Sequence, residues 1–227
     1  MPISKDNFAF LKKLQNNNNR DWFNENKAFY QAQHENTIAF ANELLAKMAE
    51  HDTIETPTGK KSLYRIYRDV RFSKDKSPYK THWGGGFRRA TKQLRGGYYF
   101  HIQPGGNSFI GGGFWAPNKE DLLRIREEIA SDDSEMRSII TGKEFVDTFG
   151  QLDGEQLKSA PKGFDKEHPA IDLLRYKQFI FGKNFSDEDV LKSDFVDVAN
   201  DTFKKMRPFF DYMSEVLTTD SNGTPLY

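Results

Sequence analysis

Positive charge is concentrated in one segment of this 227-residue chain. Between Lys60 and Arg95 the sequence has twelve basic residues against two acidic ones, a local net charge of +10. The whole chain has 33 basic and 33 acidic residues, so the remainder carries −10. Because a local field depends on where charges lie and not only on their sum, this segment is the region best suited to hold an anion.

The centre of this basic segment alternates polar and apolar residues, which predicts a strand from Ser62 to Phe72. A two-residue period places Arg68 on an otherwise apolar face, where its permanent charge needs a carboxylate, carbonyl oxygens or an anionic ligand. The loop from Ser73 to Lys80 adds lysines and hydroxyls that suit phosphate, sulfate or carboxylate. The predicted core-facing residues of the strand are Tyr64, Ile66, Arg68, Val70 and Phe72. The predicted ligand-binding residues are Arg65, Arg68, Asp69, Arg71, Lys74, Lys76 and Lys80, with Arg68 and Asp69 as organisers.

Three other interpretations of this segment stay open. In the first, the cations are structural. Arg68 forms a buried ion pair, and the remaining basic side chains either face solvent, form ion pairs with acidic residues elsewhere in the chain, or contact a partner protein. In the second, the protein is a phosphoester-processing enzyme that uses Asp75 or His82 as general acid or base. In the third, tyrosines among the cations stack the bases of a single-stranded nucleic acid.

Nucleic acid is the less favoured ligand for two reasons. The chain has no net positive charge, so its acidic half would repel a long polyanion. Aromatic residues at alternate strand positions are also more often part of the core than of a binding surface. A small anion fits the charge balance better. No short ligand spacing predicts a metal site, although His82 and His101 could meet Asp69 or Asp75 across strands. The motifs identify no cofactor.

The pattern of elements predicts an α+β fold, in which a central antiparallel β-meander is packed by N-terminal and C-terminal helices. Ser4 is the predicted N-cap of a first helix, and Asn18 and Asp21 occupy the positions of a capping box at the start of a second. Asn118 is the predicted N-cap of a later helix. Another helix is predicted from Phe195 to Leu217, with a kink near Pro208. Three further strands are predicted from Thr81 to Arg88, Gly97 to Gln103 and Ser108 to Trp115. The organisation predicted is one domain over residues 1–227: helical over 1–50, sheet over 62–117, mostly helical over 118–217 with one possible strand at 177–185, and a frayed tail at 218–227.

Several motifs of the chain resemble those of a bacterial family, the domain of unknown function 2461. The longest is RIYRDVRFSKDKSPYKTH, from Arg65 to His82, in which Ser77 stands where threonine is expected and keeps the hydroxyl. The others are Asn17 to Phe23 with Asn26, Lys27 and Tyr30; Gly97 to Tyr99; Gly111 to Trp115; and Pro161 to Phe164. The resemblance extends over nearly the whole chain and implies an uncharacterised conserved protein, with no catalytic residue to transfer.

The sequence also predicts where the protein works. It has no cysteine, which favours a reducing compartment. No signal peptide and no apolar run of membrane-spanning length is found, so the prediction is a soluble cytoplasmic protein without a membrane partner.

Overall fold

A computed structural model describes residues 2–220 and 223–226 of the chain. Helices precede and follow a four-stranded antiparallel sheet with strand order β1-β2-β3-β4, which confirms the α+β prediction. The strands are β1 Trp83–Arg88, β2 Gly97–Ile102, β3 Ser108–Phe114 and β4 Phe179–Phe185. The helices are α1 Lys5–Asn16, α2 Arg20–Glu25, α3 Lys27–Met48, α4 Gly59–Ser62, α5 Lys119–Ser131, α6 Ser134–Thr141, α7 Lys143–Phe149, α8 Ile171–Leu174, α9 Asp187–Val190, α10 Phe195–Lys204 and α11 Arg207–Thr218.

The prediction of a strand from Ser62 to Phe72 is wrong. Leu63 and Tyr67 make single antiparallel bridges, with Gly85 and Tyr79, and the rest of the segment is irregular. The fourth strand of the sheet is β4 instead, which corresponds to the possible strand predicted at residues 177–185.

A physical reason for the error lies in the opposing segment. Pro78 has no N–H and cannot donate to a ladder of backbone hydrogen bonds. Lysine side chains donate hydrogen bonds to other carbonyl oxygens of the segment. Lys76 Nζ donates to Val70 O over 2.9 Å, and Lys80 Nζ donates to Arg65 O over 2.8 Å. Side-chain bonds thus replace part of the expected strand pairing.

The predicted core face of this segment is also mostly wrong. Ile66 is buried, but Tyr64 is 55% exposed and Phe72 is 97% exposed. Val70 and Arg68 are half-buried. Irregular backbone breaks the two-residue alternation, so side chains that a strand would send inward reach solvent instead.

Helix caps were predicted with mixed success. The Ser4 and Asn118 side chains accept hydrogen bonds from the backbone N–H groups of Asn7 and Asp121, as expected for N-caps. The predicted N-terminus of the second helix is wrong by one residue, because Asn19 rather than Asn18 caps α2. Pro208 lies in the first turn of α11 and separates it from α10, where its missing N–H costs no hydrogen bond.

Contacts divide the chain into two compact units. The first contains residues up to Phe87, Tyr99–Ile110 and Asn184–Asp201; the second contains Arg88–Tyr98, Gly111–Lys183 and residues from Thr202 onward. The expectation of one domain over residues 1–227 stays a prediction. The predicted frayed tail partly falls on residues 221, 222 and 227, which lie outside the described residues; within it, Thr219 bridges Pro225.

The core of the first unit is largely aromatic. Phe40 of α3 meets Phe100 edge-on and stacks on Phe195, at centroid distances of 5.7 and 5.8 Å. A buried amide completes the packing of α1 on α3: Asn7 donates to Gln33 O and Thr37 Oγ1, each over 3.1 Å. These contacts fix the N-terminal helices that carry one side of the candidate site.

The second unit has its own aromatic core and one buried cation. Phe181 of β4 packs edge-on against Phe209, with centroids 5.0 Å apart. The guanidinium of Arg89 is fully buried and donates to Asp211 over 2.5 Å. Such a buried charge requires its carboxylate partner.

Gly113 explains part of the glycine cluster in β3. Its φ is +124°, and a Cβ there would lie 2.1 Å from the carbonyl oxygen of Phe179. Only glycine allows β3 and β4 to approach so closely at this point. Among residues 2–220 and 223–226, no helix is long and apolar enough to cross a membrane.

Candidate anion-binding site

Asn18 positions the segment that forms one wall of the site. Tyr67 and Tyr79 lie opposite each other, and the backbone bonds that flank them run from Arg68 N to Pro78 O and from Lys80 N to Ile66 O. Tyr79 is therefore in a non-hydrogen-bonded pair, and its own N–H and C=O point away from Tyr67. Asn18 satisfies both, donating to Tyr79 O over 2.9 Å and accepting from Tyr79 N over 3.1 Å.

Aromatic packing holds the same wall. Tyr79 is 4% exposed and stacks on Phe23 of α2, with centroids 4.0 Å apart and planes at 13°. Tyr67 packs against Tyr79 at 5.5 Å. The ring stack and the Asn18 clamp together fix α2 against the basic segment.

A cleft of about 290 Å³ lies between α2 and the basic segment. Its polar lining residues are two arginines, one asparagine and two tyrosines. The lining residues are Arg20, Asn24, Tyr67, Arg68, Val70, Pro78 and Tyr79. No carboxylate is among them, so the cleft combines positive charge with hydrogen-bond donors.

Arg68 is the predicted ligand-binding residue that the fold brings to this cleft. Its side chain is 27% exposed, and Nη1 donates to Asp75 Oδ2 over 2.5 Å and to Ser77 O over 3.2 Å. The predicted ion pair therefore forms, but with a 60% exposed carboxylate instead of a buried one. The remaining guanidinium N–H groups can serve a ligand.

Asp75 is a poor candidate for the general acid or base suggested by the sequence. Hydrogen bonds from the Ser77 hydroxyl, the Ser77 amide and Arg68 hold the pKa of its carboxyl well below the usual range. The group therefore stays an anion, and its chemical effect is to orient the loop and Arg68.

Asp69 and Arg71 neutralise each other away from the cleft. Arg71 Nη2 and Nε donate to the Asp69 carboxylate over 2.6 and 3.0 Å, and both side chains are largely exposed. The side-chain and backbone hydrogen bonds from Arg71 lower the pKa of Asp69. Neither residue lines the cleft.

The predicted lysines do not converge on the cleft either. Lys76 and Lys80 bind backbone carbonyl oxygens, as described above, and burial together with Arg65 lowers the pKa of Lys80. Lys74 and Arg65 are exposed, and neither side chain makes a hydrogen bond or ion pair with any of the described residues. The basic side chains of the loop are thus spread over the surface and do not form one binding site.

Arg20 and Asn24 line the cleft but were missed as ligand candidates. Arg20 is exposed, and its side chain has no hydrogen-bond or ion-pair partner within residues 2–220 and 223–226. The signal available was the motif from Asn17 to Phe23, which the sequence shares with the family it resembles. Nothing in the local pattern connects that motif to residues near Tyr79, because the contact joins segments far apart in the chain.

His82 lies outside the cleft lining, in an aromatic cluster with His101. The two imidazoles stack with centroids 4.1 Å apart. Burial first, then His101 and Lys80, lower the pKa of His82 to about 4. His101 Nδ1 lies 3.1 Å from the Tyr99 hydroxyl and Nε2 lies 2.8 Å from Gln103 Oε1, so donor and acceptor roles are filled by a neutral ring.

Within the described part of the chain, no group of three or more His, Asp or Glu side chains is placed to hold a metal ion. His82 and His101 meet each other without a carboxylate completing a ligand set.

Comparison with known proteins decides the family. The family model described as conserved hypothetical protein (DUF2461) matches residues 6–212. The chain belongs to this family. A search of curated proteins found no match, and a search of solved structures found none. For this DUF2461 member, function must therefore be argued from the cleft itself.

Proposed function

We propose that the protein is a binding module for a small anionic or phosphate-bearing ligand, held in the cleft between α2 and the basic segment. The observation that supports this most is the placement of Arg20 and Arg68 on one cleft without a lining carboxylate. Guanidinium groups present several N–H donors in one plane and bind phosphate or carboxylate oxygens in pairs. A ligand oxygen would complete the hydrogen bonding of both.

The neutral lining supports the same ligand class. Asn24 and Tyr67 add an amide and a hydroxyl, which can donate to further oxygens of a phosphate. The volume of about 290 Å³ is large enough for a phosphate or diphosphate group. The ligand class is therefore a small or terminal phosphate.

The clamp on Tyr79 supports a binding role because it makes the cleft preorganised. Asn18 and Phe23 hold the wall before any ligand arrives, so less ordering entropy is lost on binding. We place this function in the cytoplasm for two reasons. A chain without cysteine suits a reducing compartment, and the cytoplasm contains phosphorylated metabolites that could be the ligand.

Calorimetric titration with pyrophosphate tests the proposal. Arg20→Gln removes one charge from the cleft and is expected to weaken binding about tenfold or more, since a hydrogen bond to a charged group contributes roughly 1.5–3 kcal/mol. Arg65→Gln is the matched control, because Arg65 is exposed and does not line the cleft. Wild-type protein that shows no binding at about 10 mM pyrophosphate, or equal losses in the two variants, would overturn the proposal.

A further inference from the structure

Three aromatic rings reach solvent within the nine residues from Tyr64 to Phe72. Tyr64 is 55% exposed, Tyr67 is 60% exposed and Phe72 is 97% exposed. Each ring leaves apolar area in water, where it is available for contact with a ligand. The sequence-based objection that these aromatic residues belong to the core does not hold for this segment.

Cations accompany the rings. Lys80 Nζ lies 5.7 Å from the Tyr64 ring centroid. The Arg71 guanidinium lies 5.9 Å from the Phe72 ring centroid, but Asp69 neutralises its charge. Arg65, between the first two rings in sequence, is exposed, and its side chain makes no hydrogen bond or ion pair with the residues described. The surface therefore offers π-faces and positive charge side by side, the combination that binds bases and phosphates of a strand.

Aromatic neighbours support two of the rings. Tyr64 stacks on Tyr99, with centroids 6.0 Å apart and planes at 26°. Tyr67 packs on Tyr79 at 5.5 Å and on Phe23 at 6.3 Å. A ring held from behind loses little freedom when a base stacks on its open face.

We infer that this surface binds a short single-stranded nucleic acid, with bases stacked on Tyr64, Tyr67 and Phe72 and a phosphate in the cleft. The inference rests on the proposed function, because Tyr67 both lines the cleft and presents an exposed ring. An extended segment from Tyr64 to Phe72 spans at most roughly 30 Å, which limits the footprint to a few nucleotides. A short strand also avoids the acidic remainder of this neutral chain, which would repel a long polyanion.

Fluorescence anisotropy with labelled ten-nucleotide oligothymidylate and oligouridylate, at about 50 mM salt, tests the inference. Both strands are expected to bind, and their ratio reports whether DNA or RNA is preferred. A duplex and a base-free polyphosphate of similar charge are expected to compete at least tenfold less well, because neither offers unpaired bases to the rings. Polyphosphate that competes equally would overturn the stacking model, since charge alone would then explain binding.

Ring variants supply the second arm. Tyr67→Leu and Phe72→Leu are each expected to weaken oligothymidylate binding about fivefold or more, the effect of losing one stacked base. Trp115→Leu is the matched control, because Trp115 is 68% exposed but lies in the second unit. Equal affinities in all three variants would overturn the inference. Circular dichroism of each variant confirms that the fold is retained.

The two proposals fail in different ways. If Arg20→Gln weakens pyrophosphate binding but the ring variants leave oligothymidylate binding unchanged, the cleft binds small anions and the nucleic-acid inference is wrong. If pyrophosphate does not bind and Arg20→Gln has no effect on any ligand, the proposed function itself is wrong. A phosphorylated peptide that binds more tightly than both oligonucleotides would also reject the nucleic-acid inference.

Discussion

The side-chain amide of Asn18 forms a two-bond pair with the backbone of Tyr79, with donor and acceptor distances of 2.9 and 3.1 Å. It occupies the place that another strand would take beside Tyr79. The cleft wall depends on this pair because Tyr79 is buried and has its backbone groups turned toward Asn18. Loss of the pair would leave both groups unsatisfied.

Asn18→Ala is expected to lower the free energy of unfolding by about 1–3 kcal/mol, because a buried donor and acceptor lose their partners. Urea denaturation measures the effect. Asn17→Ala is the control: the Asn17 amide donates to Lys13 O in an exposed position, where water replaces it. Equal costs for the two variants would show that the clamp does not stabilise the fold.

Asp75→Asn is expected to tighten pyrophosphate binding about two- to fivefold, because Arg68 would lose its exposed carboxylate partner and keep its charge for the ligand. Titration calorimetry measures the change. The control is Asp69→Asn, which releases Arg71 from a similar exposed pair that does not line the cleft. A gain of equal size in the control would mean that net charge, and not the cleft, sets affinity.

Acid should destabilise the protein through His82. Its pKa is about 4 in the folded chain and near 6.5 when unfolded, so between these values the unfolded chain binds more protons. The contribution to stability is complete above pH 6.5 and is lost as the pH falls toward 4. His82→Phe keeps a ring beside His101 but cannot titrate, and should make the decline shallower.

Urea denaturation between pH 4 and 8 checks the His82 prediction, with His168→Asn as the control histidine change in the second unit. Proton NMR of the imidazoles gives an independent value for the His82 pKa. A His82 ring that titrates near pH 6.5 in the folded protein would contradict the prediction.

Gly113→Ala is expected to destabilise the protein by about 3 kcal/mol or more, because the new methyl group would collide with the Phe179 carbonyl and the backbone has a positive φ. Thermal denaturation measures the loss. Gly163→Ala separates the two causes: Gly163 also has a positive φ, at +92°, but a Cβ added there would meet no atom within 4 Å. Similar losses for both would rule out the steric cause.

Local signals predicted three strands and the helical regions well, although the single helix predicted from Phe195 to Leu217 is two helices, α10 and α11. Caps such as Ser4 and Asn118 act within three residues, and their chemistry is visible in the sequence. These features need no knowledge of the rest of the chain.

The candidate site was only partly predictable because its decisive contacts are distant in sequence. The charge count identified the segment and Arg68, but strand periodicity assigned Phe72 to the core, where it is almost fully exposed. A cap at Asn18 would act within a few residues, whereas its bond to Tyr79 joins residues 61 positions apart. Arg20 lines the cleft through that same long-range contact.

The strand order has a consequence for biosynthesis. Strands β1, β2 and β3 follow one another through short connections and can pair early, whereas β4 begins at Phe179 and must emerge much later from the ribosome. Until then the outer edge of β3 exposes unpaired backbone groups, a template for intermolecular strand pairing. We therefore expect chains truncated before Phe179 to aggregate, so the later part of the sequence protects the nascent sheet.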